Sequence, residues 1–131
     1  MNYFVIDAKL PSMNEYVRSC RANKYSGAEF KRSIEALIGY SITRGISKGM
    51  LKPIDKPCEI HIYWHEATQR RDVDNIQSAQ KFILDALQHH KIIKNDNRKW
   101  VKQIYHTVID DEKDFVIVDI REVKNDKDNC G

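Results

Sequence analysis

The segment EIHIYWHEATQRRDVDN, residues 59–75, decides the fold that this chain is expected to adopt. Its first residues alternate, with isoleucine and tryptophan on one side and histidine and tyrosine on the other, and this period of two predicts a half-buried β-strand. Residues 66–71 predict a turn. Asp72 and Asp74 then open a run with the apolar spacing of a helix, which we expect to continue to about Gln88.

Apolar runs and turn residues divide the rest of the chain. Ser26 and Glu29 form the S-x-x-E pattern of a capping box, which predicts that a first helix begins there and ends near residues 45–49. The polar segment 12–27 before it is expected to be a long loop. Three more strands are predicted, the last two joined as an antiparallel hairpin: residues 3–9, 100–109 and 114–123.

The predicted order β-α-β-α-β-β describes a small single α/β domain, with a mixed β-sheet and two main helices packed on it. A chain of 131 residues, 41% of them hydrophobic, is long enough to form one core. We predict that the domain spans residues 1–123. The polar residues 124–131 are expected to form a frayed C-terminal tail.

Composition excludes several classes of protein. The sequence has no stretch of about 18 apolar residues, and residues 1–6 lack the features of a signal peptide, so we expect no membrane span and a cytoplasmic location. Cys20, Cys58 and Cys130 lack zinc-site spacing and are interpreted as reduced thiols. The net charge of +3 indicates a polyanionic partner only weakly.

Asp72 and Asp74 allow two interpretations. An aspartate at this place can serve simply as the N-cap of the helix. Two carboxylates so close repel each other, however, which favours a bound cation, and Arg70 and Arg71 before them suit a phosphate. A hard divalent cation such as Mg²⁺ prefers these oxygen ligands. The pattern therefore predicts a metal-dependent enzyme that acts on a phosphodiester.

Asp96 and Lys81 are further candidates, and each has a plainer interpretation. Asp96 lies in an Asn-rich turn, where such residues are common, and it approaches the acidic pair only if the next strand returns beside the strand of the opening segment. Lys81 is either a solvated partner of Asp85 or a cation near the scissile phosphate. The residues expected to orient the ligands are Asn75, Ser78 and Asp85.

Basic residues form one cluster before the first helix and another after the second. A solvated surface is the plain interpretation, but cations around a carboxylate cluster are also what a nuclease needs to attract the DNA backbone. His61 and His65 share one strand face without a third ligand nearby, so we interpret them as part of a polar sheet face. The residues predicted to bind DNA are Arg18, Arg21, Lys24, Arg70, Arg71, Lys94, Arg98 and Lys99.

Three motifs follow one another at a characteristic spacing: R-D-V-D-N at 71–75, I-L-D-A-L at 83–87 and I-I-K-N-D at 92–96. Together with L-P-S-M-N at 10–14, this ordered set resembles the RusA family of Holliday-junction resolvases. The resemblance spans roughly residues 3–123. D-x-D-N alone is a weak motif, and the specificity comes from the ordered set.

The resemblance implies a homodimeric, Mg²⁺-dependent endonuclease, typical of phages and prophages, that cuts four-way DNA junctions by paired nicks. It implies a metal site formed by Asp72, Asp74 and Asp96, in which Mn²⁺ can substitute. Two positions depart from the family pattern. Ser78 stands where the family often has a lysine, which Lys81 would replace, and Asn95 stands where the family has another aspartate.

The leading hypothesis is therefore a structure-selective endodeoxyribonuclease of DNA recombination and repair. The alternative is a junction-DNA-binding protein with a catalytically weakened site, which the departures at Ser78 and Asn95 motivate. A metal-dependent phosphohydrolase acting on nucleotides is a third possibility. The basic clusters favour a longer polyanion, and the sequence lacks a Gly-rich phosphate loop.

Overall fold

The computed structural model describes residues 1–123, and the tail predicted at 124–131, with Cys130, lies outside them. Within the described residues the α/β class with a mixed sheet is confirmed. None of the helices in this part of the chain is long and apolar enough to cross a membrane. The elements in order are β1 (Tyr3–Ile6), α1 (Met13–Ala22), α2 (Lys24–Ser47), β2 (Cys58–Glu66), α3 (Val73–Gln77), α4 (Gln80–His89), β3 (Val101–Asp110) and β4 (Phe115–Glu122).

The sheet has the strand order β1-β4-β2-β3, so the predicted hairpin of the last two strands is wrong. β3 pairs with β2 in parallel, and β4 pairs antiparallel with both β2 and β1. The connection from β3 to β4 crosses the end of β2, where the Asp111 amide donates to the Glu66 carbonyl at 3.0 Å. The apolar residues of β2 suit a central strand, where they are buried. The exposed polar residues of β3 suit an edge.

The hydrophobic core lies between one face of the sheet and the helices. Even-numbered residues of the two central strands form its sheet side, where Ile62, Trp64 and Val118 are at most 1% exposed. Ile38 and Ile42 of α2 complete the core from the helical side. Because side chains alternate along a strand, the odd-numbered residues face away from the helices.

The segment 12–27, predicted as a loop, instead contains α1 and the start of α2. Ser12 caps α1 by accepting from the Glu15 amide at 3.2 Å, and Asn23 caps α2 by accepting from the Ser26 amide at 2.8 Å. The predicted cap at Ser26 is therefore wrong by three residues. No residue of α1 is fully buried. The helix is stabilised by packing on α2, where the Tyr16 and Phe30 rings meet edge to face.

The second predicted helix is divided into α3 and α4 at Ser78 and Ala79. The Ser78 hydroxyl donates to the Asn75 carbonyl at 2.7 Å, and the Ala79 amide bonds to Ile76 three residues back instead of four. A serine that bonds to the preceding turn competes with the helical hydrogen bonds and bends the helix. The break separates α3, which contains Asp74, from α4, which contains Lys81.

Candidate functional site

Asp72 and Asp74 lie beyond the carboxyl end of β2, where the chain turns into α3. Asp72 is the N-cap residue, with φ −70° and ψ 155°, and Asp74 is in the first turn. Among the described residues the Asp72 side chain makes no capping hydrogen bond, and both aspartates are exposed. Capping therefore does not account for the pair. Both carboxylates are open to a ligand beside the positive end of a short helix.

Arg71 forms a buried ion pair with Glu66, the last residue of β2. Its Nε donates to Oε1 at 3.1 Å and its Nη2 to Oε2 at 2.9 Å, while Nη1 donates to the Leu10 carbonyl at 2.8 Å. The two side chains are only 12% and 6% exposed. Since three of the five guanidinium N–H groups are used inside the protein, Arg71 anchors the backbone next to Asp72. Its predicted phosphate contact stays a prediction.

Glu66 is a site residue that the sequence reasoning missed. It continues the buried, even-numbered positions of β2 and is 5% exposed. A carboxylate at a core-facing position requires a cationic partner. Two features of the sequence indicated this pair. The alternation of β2 extends by one residue to Glu66, and an arginine follows five residues later.

The N-terminal motif 10–14 lies directly against α3. The Met13 amide donates to the Ser78 hydroxyl at 3.0 Å, and the Asn14 side-chain amide donates to the Asn75 side-chain oxygen at 3.0 Å. With the bond from Arg71 to Leu10, the contact joins segments about 60 residues apart in the chain. Asn75 and Ser78 therefore occupy positions that support the acidic pair.

Lys81 and Asp85 are on α4, beyond the break that separates them from Asp74. Their side chains form an ion pair at 3.1 Å and are 60% and 44% exposed. This is the plainer of the two interpretations of Lys81. The break between α3 and α4 places Lys81 and Asp74 on separate helices, and a catalytic role for Lys81 stays a prediction.

Asp96 lies at the opposite end of the β2–β3 pair. Cys58, which begins β2, pairs with Val101, and Glu66, which ends β2, pairs with Asp110. Asp96 precedes Val101, whereas Asp72 follows Glu66. A strand of nine residues spans roughly 30 Å, so one chain does not bring Asp96 to Asp72 and Asp74. β3 does lie beside β2, which was the condition for Asp96 to approach the acidic pair. Because the two strands are parallel, however, Asp96 lies at the end away from Asp72 and Asp74.

The segment around Asp96 is a basic turn, residues 94–100. Asn95 accepts from the Asn97 amide at 3.0 Å, and Asn97 accepts from the Lys99 amide at 3.1 Å, so both side chains hold the turn together. The ammonium groups of Lys94 and Lys99 lie 5.2 and 5.4 Å from the centre of the Trp100 ring. Trp100 is thus a cation–π partner at the surface. Arg98 and Asp96 are exposed on the same turn.

The other predicted DNA-binding residues are on the helical side. Arg18 and Arg21 are on α1 and Lys24 begins α2, and all three are exposed. Arg70 is exposed in the turn before Asp72. The helical segment that contains Arg18 and Arg21 begins at the residues that contact α3. The first basic cluster and the acidic pair are therefore carried by elements in direct contact.

His61 and His65 do not form a metal site with each other. The His61 ring stacks on Tyr105 at 4.5 Å, and the His65 ring stacks on Phe115 at 3.9 Å while its Nδ1 bonds to Asp111 at 2.8 Å. Across residues 1–123, no group of three or more His, Cys, Asp or Glu side chains is arranged to hold a metal ion. A metal bound by Asp72 and Asp74 therefore needs further ligands from solvent, substrate or a second chain.

A half-buried chain of hydrogen bonds fixes the start of α4. Trp64 Nε1 donates to His106 Nδ1 at 2.9 Å, and His106 Nε2 lies 2.7 Å from Gln80 Oε1. Since Nδ1 accepts, the proton of the neutral ring is on Nε2 and is donated to Gln80. Burial lowers the pKa of His106. This chain connects the sheet to the first residue of α4 and supports the α3–α4 junction.

The chain matches no protein-family model and no curated protein.

Proposed function

We propose that this protein is a Mg²⁺-dependent, structure-selective endodeoxyribonuclease that acts as a homodimer and resolves four-way DNA junctions by paired nicks. The observation that carries the proposal is the contact of residues 10–14 with residues 71–78. Three hydrogen bonds join these segments, both of which belong to the resemblance noted in the sequence. Beside that contact the carboxylates of Asp72 and Asp74 stay exposed.

Asp72 and Asp74 fit a hard divalent cation. Mg²⁺ is usually held by one or two carboxylates, substrate phosphate oxygens and waters, so two exposed carboxylates are a sufficient protein contribution. Mn²⁺ accepts the same ligands. When bound, the cation supplies activation of the attacking water and neutralisation of charge on the leaving oxygen.

The surrounding residues have separate tasks in the proposal. Arg71, held by Glu66, keeps Asp72 in place. Arg70 is exposed beside the pair and is available to bind a phosphate oxygen. Because the Asn75 oxygen accepts from Asn14, the NH₂ group of Asn75 is left to donate to a phosphate. The basic residues of α1 and of the turn 94–100 attract the DNA backbone.

Asp96 is the residue on which the resemblance and the topology disagree. The resemblance makes Asp96 a third metal ligand, whereas in one chain it lies at the far end of the β2–β3 pair from Asp72 and Asp74. An Asp96 that binds the same ion must therefore come from the second copy of the homodimer. A variant at Asp96 separates these two arrangements.

A junction-binding protein without nuclease activity is the second candidate, and the state of the nearby cations favours it. Ser78 stands in place of the family lysine and is engaged by Met13 and Asn75. Arg71 is paired with Glu66, and Lys81 is paired with Asp85. Fewer free cations beside the acidic pair would weaken stabilisation of transition-state charge while leaving junction binding intact.

The test is cleavage of an end-labelled four-way junction in Mg²⁺, beside a linear duplex of the same sequence. We expect paired nicks in the junction alone, and a loss of about two orders of magnitude or more in the Asp74→Asn variant, with junction binding retained. Asp55→Asn is the matched control, since Asp55 is an exposed aspartate in the segment before β2, away from the acidic pair. It should cleave at nearly the wild-type rate.

Wild-type cleavage by Asp74→Asn would overturn the metal site. Junction binding without product in either Mg²⁺ or Mn²⁺ would favour the binding protein instead. A loss in Asp96→Asn as large as that in Asp74→Asn would mean that the site is shared between two chains. Mixing the two inactive variants would then restore part of the activity, because a mixed dimer contains one intact site.

A further inference from the structure

A cavity lies beside the last residues of β4, at the end of the sheet away from the acidic pair. β4 continues past the beginning of β1, because Tyr3 pairs with Asp119 and the strand ends at Glu122. The cavity has a volume of about 470 Å³ and is lined by residues 119–122, by the residues just before β1 and by the loop before β2. Small-molecule sites in proteins have volumes of roughly 300–1,000 Å³.

The walls of the cavity are held in place by hydrogen bonds. The Asn2 side-chain oxygen accepts from the Lys52 amide at 2.8 Å, and the Asn2 side-chain amide donates to the Lys52 carbonyl at 3.2 Å. The Ile120 amide donates to the Asn2 carbonyl at 2.8 Å. Ile54 and Ile120, which are 8% and 1% exposed, form an apolar part of the lining. The site is therefore largely formed before a ligand binds.

Asp119 is a buried carboxylate in the lining of this cavity. It is 2% exposed, and its Oδ2 accepts from Arg121 Nε at 2.8 Å. Its Oδ1 is buried and has no hydrogen-bond partner among residues 1–123. An unsatisfied buried acceptor is costly, and it indicates a donor that comes from a further molecule.

Arg121 determines which kind of donor suits Oδ1. Because its guanidinium already neutralises Asp119, a ligand ammonium group would lie beside a second cation and be repelled, whereas a neutral N–H group would not. Arg121 uses two of its five N–H groups, one for Asp119 and one for the Tyr63 hydroxyl, and its side chain is 50% exposed. The remaining N–H groups suit an anion such as a phosphate.

A nucleotide combines the features that this cavity requires. Its phosphate suits Arg121, and its flat base suits the apolar lining. Adenine, cytosine and guanine each carry a neutral amino group that can donate to Oδ1. Thymine has carbonyl oxygens instead, which a carboxylate repels. An amino acid does not fit, because its donor is an ammonium group.

We propose that this cavity binds a nucleotide whose base carries an amino group, with the amino group donating to Asp119 Oδ1 and the phosphate lying against Arg121. Since Oδ1 is closed to solvent, binding requires a side chain to shift, and the half-exposed Arg121 is the neighbour with room to move. The same chemistry occurs in a free nucleoside monophosphate and in an unpaired nucleotide of a DNA strand.

This site is independent of the proposed nuclease. Glu122, in the cavity lining, pairs with Cys58 at the beginning of β2, whereas the acidic pair follows the end of β2. A protein that cuts no junctions but selects nucleotides would leave the cavity site standing and remove the proposed function. A nuclease without this selectivity would do the reverse.

The test is isothermal titration calorimetry of the full chain, without metal, against the four deoxynucleoside monophosphates. We expect dAMP, dCMP and dGMP to bind at least about tenfold more tightly than dTMP, the effect of one unmatched buried hydrogen bond. In Asp119→Asn, an amide whose oxygen keeps the bond from Arg121 places its NH₂ group where Oδ1 was. That variant should reverse the preference in favour of dTMP.

Glu122→Gln tests the same cavity without changing a buried residue. Glu122 is exposed in the lining, where its negative charge opposes a phosphate, so its removal should tighten dCMP binding by about threefold at low salt. Glu112→Gln is the matched control, because Glu112 is an exposed glutamate beyond the other end of β4 and should leave the affinity unchanged. Circular dichroism shows whether Asp119→Asn folds, and if it does not, the wild-type preference and Glu122→Gln decide.

Equal affinities for the four nucleotides would overturn the proposal, as would a folded Asp119→Asn that keeps the wild-type preference. A second ligand, a duplex with one unpaired deoxycytidine, distinguishes the two sources of the nucleotide. Binding of dCMP assigns the site to a free nucleotide. Binding of the duplex alone, weakened in Asp119→Asn, assigns it to a DNA strand. Binding of neither ligand at millimolar concentration would also overturn the proposal.

Discussion

The two ends of the β2–β3 pair are built by different kinds of contact. At the acidic end, hydrogen bonds join residues as many as 65 positions apart in the chain, and Arg71, next to Asp72, forms a buried ion pair with Glu66. At the other end, the turn 94–100 is held by bonds between residues two positions apart. The acidic end therefore exists only in the folded protein, whereas the basic turn is encoded locally.

The largest expected effect is the loss of the ion pair at the acidic end. Glu66→Ala leaves Arg71 buried without its carboxylate and should lower the free energy of unfolding by about 3–5 kcal/mol. Urea denaturation measures this as a lower midpoint. The matched control is Asp85→Ala, which breaks the exposed pair with Lys81 and should cost about 0.5 kcal/mol or less. Equal losses in the two variants would remove the distinction between the buried and the exposed pair.

A smaller loss is expected where the N-terminal motif meets α3. Ser78→Ala removes both the acceptor for the Met13 amide and the donor to Asn75, and should cost about 1–2 kcal/mol in urea denaturation. Ser33→Ala is the control, since the Ser33 hydroxyl bonds only to its own exposed helix at 3.1 Å. If the control is destabilised as much, the long-range contact contributes nothing of its own.

Substitutions in the basic turn should change binding and leave stability unaltered. Replacing Lys94 and Lys99 by Ala should reduce the slope of log affinity for junction DNA against log salt by roughly 0.9 for each phosphate that is no longer neutralised. Fluorescence anisotropy in rising KCl measures the slope. Lys52→Ala, at an exposed position outside both basic clusters, is the control. An unchanged slope would exclude the turn from the DNA interface.

The smallest effect expected is on the pH dependence of stability. Burial keeps the pKa of His106 below its ordinary value of 6.5 in the folded protein, so the unfolded chain binds the proton first as pH falls. The stability contributed by the neutral His106 is therefore complete above pH 6.5 and is lost progressively below it. His106→Gln should flatten this part of the profile in urea denaturation between about pH 7 and about pH 5. An identical slope in the variant would show that another group is responsible.

The difference between local and long-range contacts also explains which predictions from sequence were confirmed. The alternation over residues 59–65 predicted β2, and the turn with Asp72 and Asp74 was predicted at the start of the next helix. These features depend on patterns within a few residues. α1 and the pairing of β3 were not predicted, because α1 has no buried residue of its own and the partner of a strand is not written in the strand's own periodicity.

The sequence by itself determined the α/β class, the strand β2, and the place of Asp72 and Asp74 at the start of a helix, because hydrophobic period and helix-start signals are local. Only the tertiary structure decided that β3 runs parallel to β2 and so separates Asp96 from that pair, that Glu66 neutralises Arg71, and that residues 10–14 dock on α3. These features arise from strand pairing and from the need to satisfy buried polar groups. Both needs are met by residues that are distant in the chain.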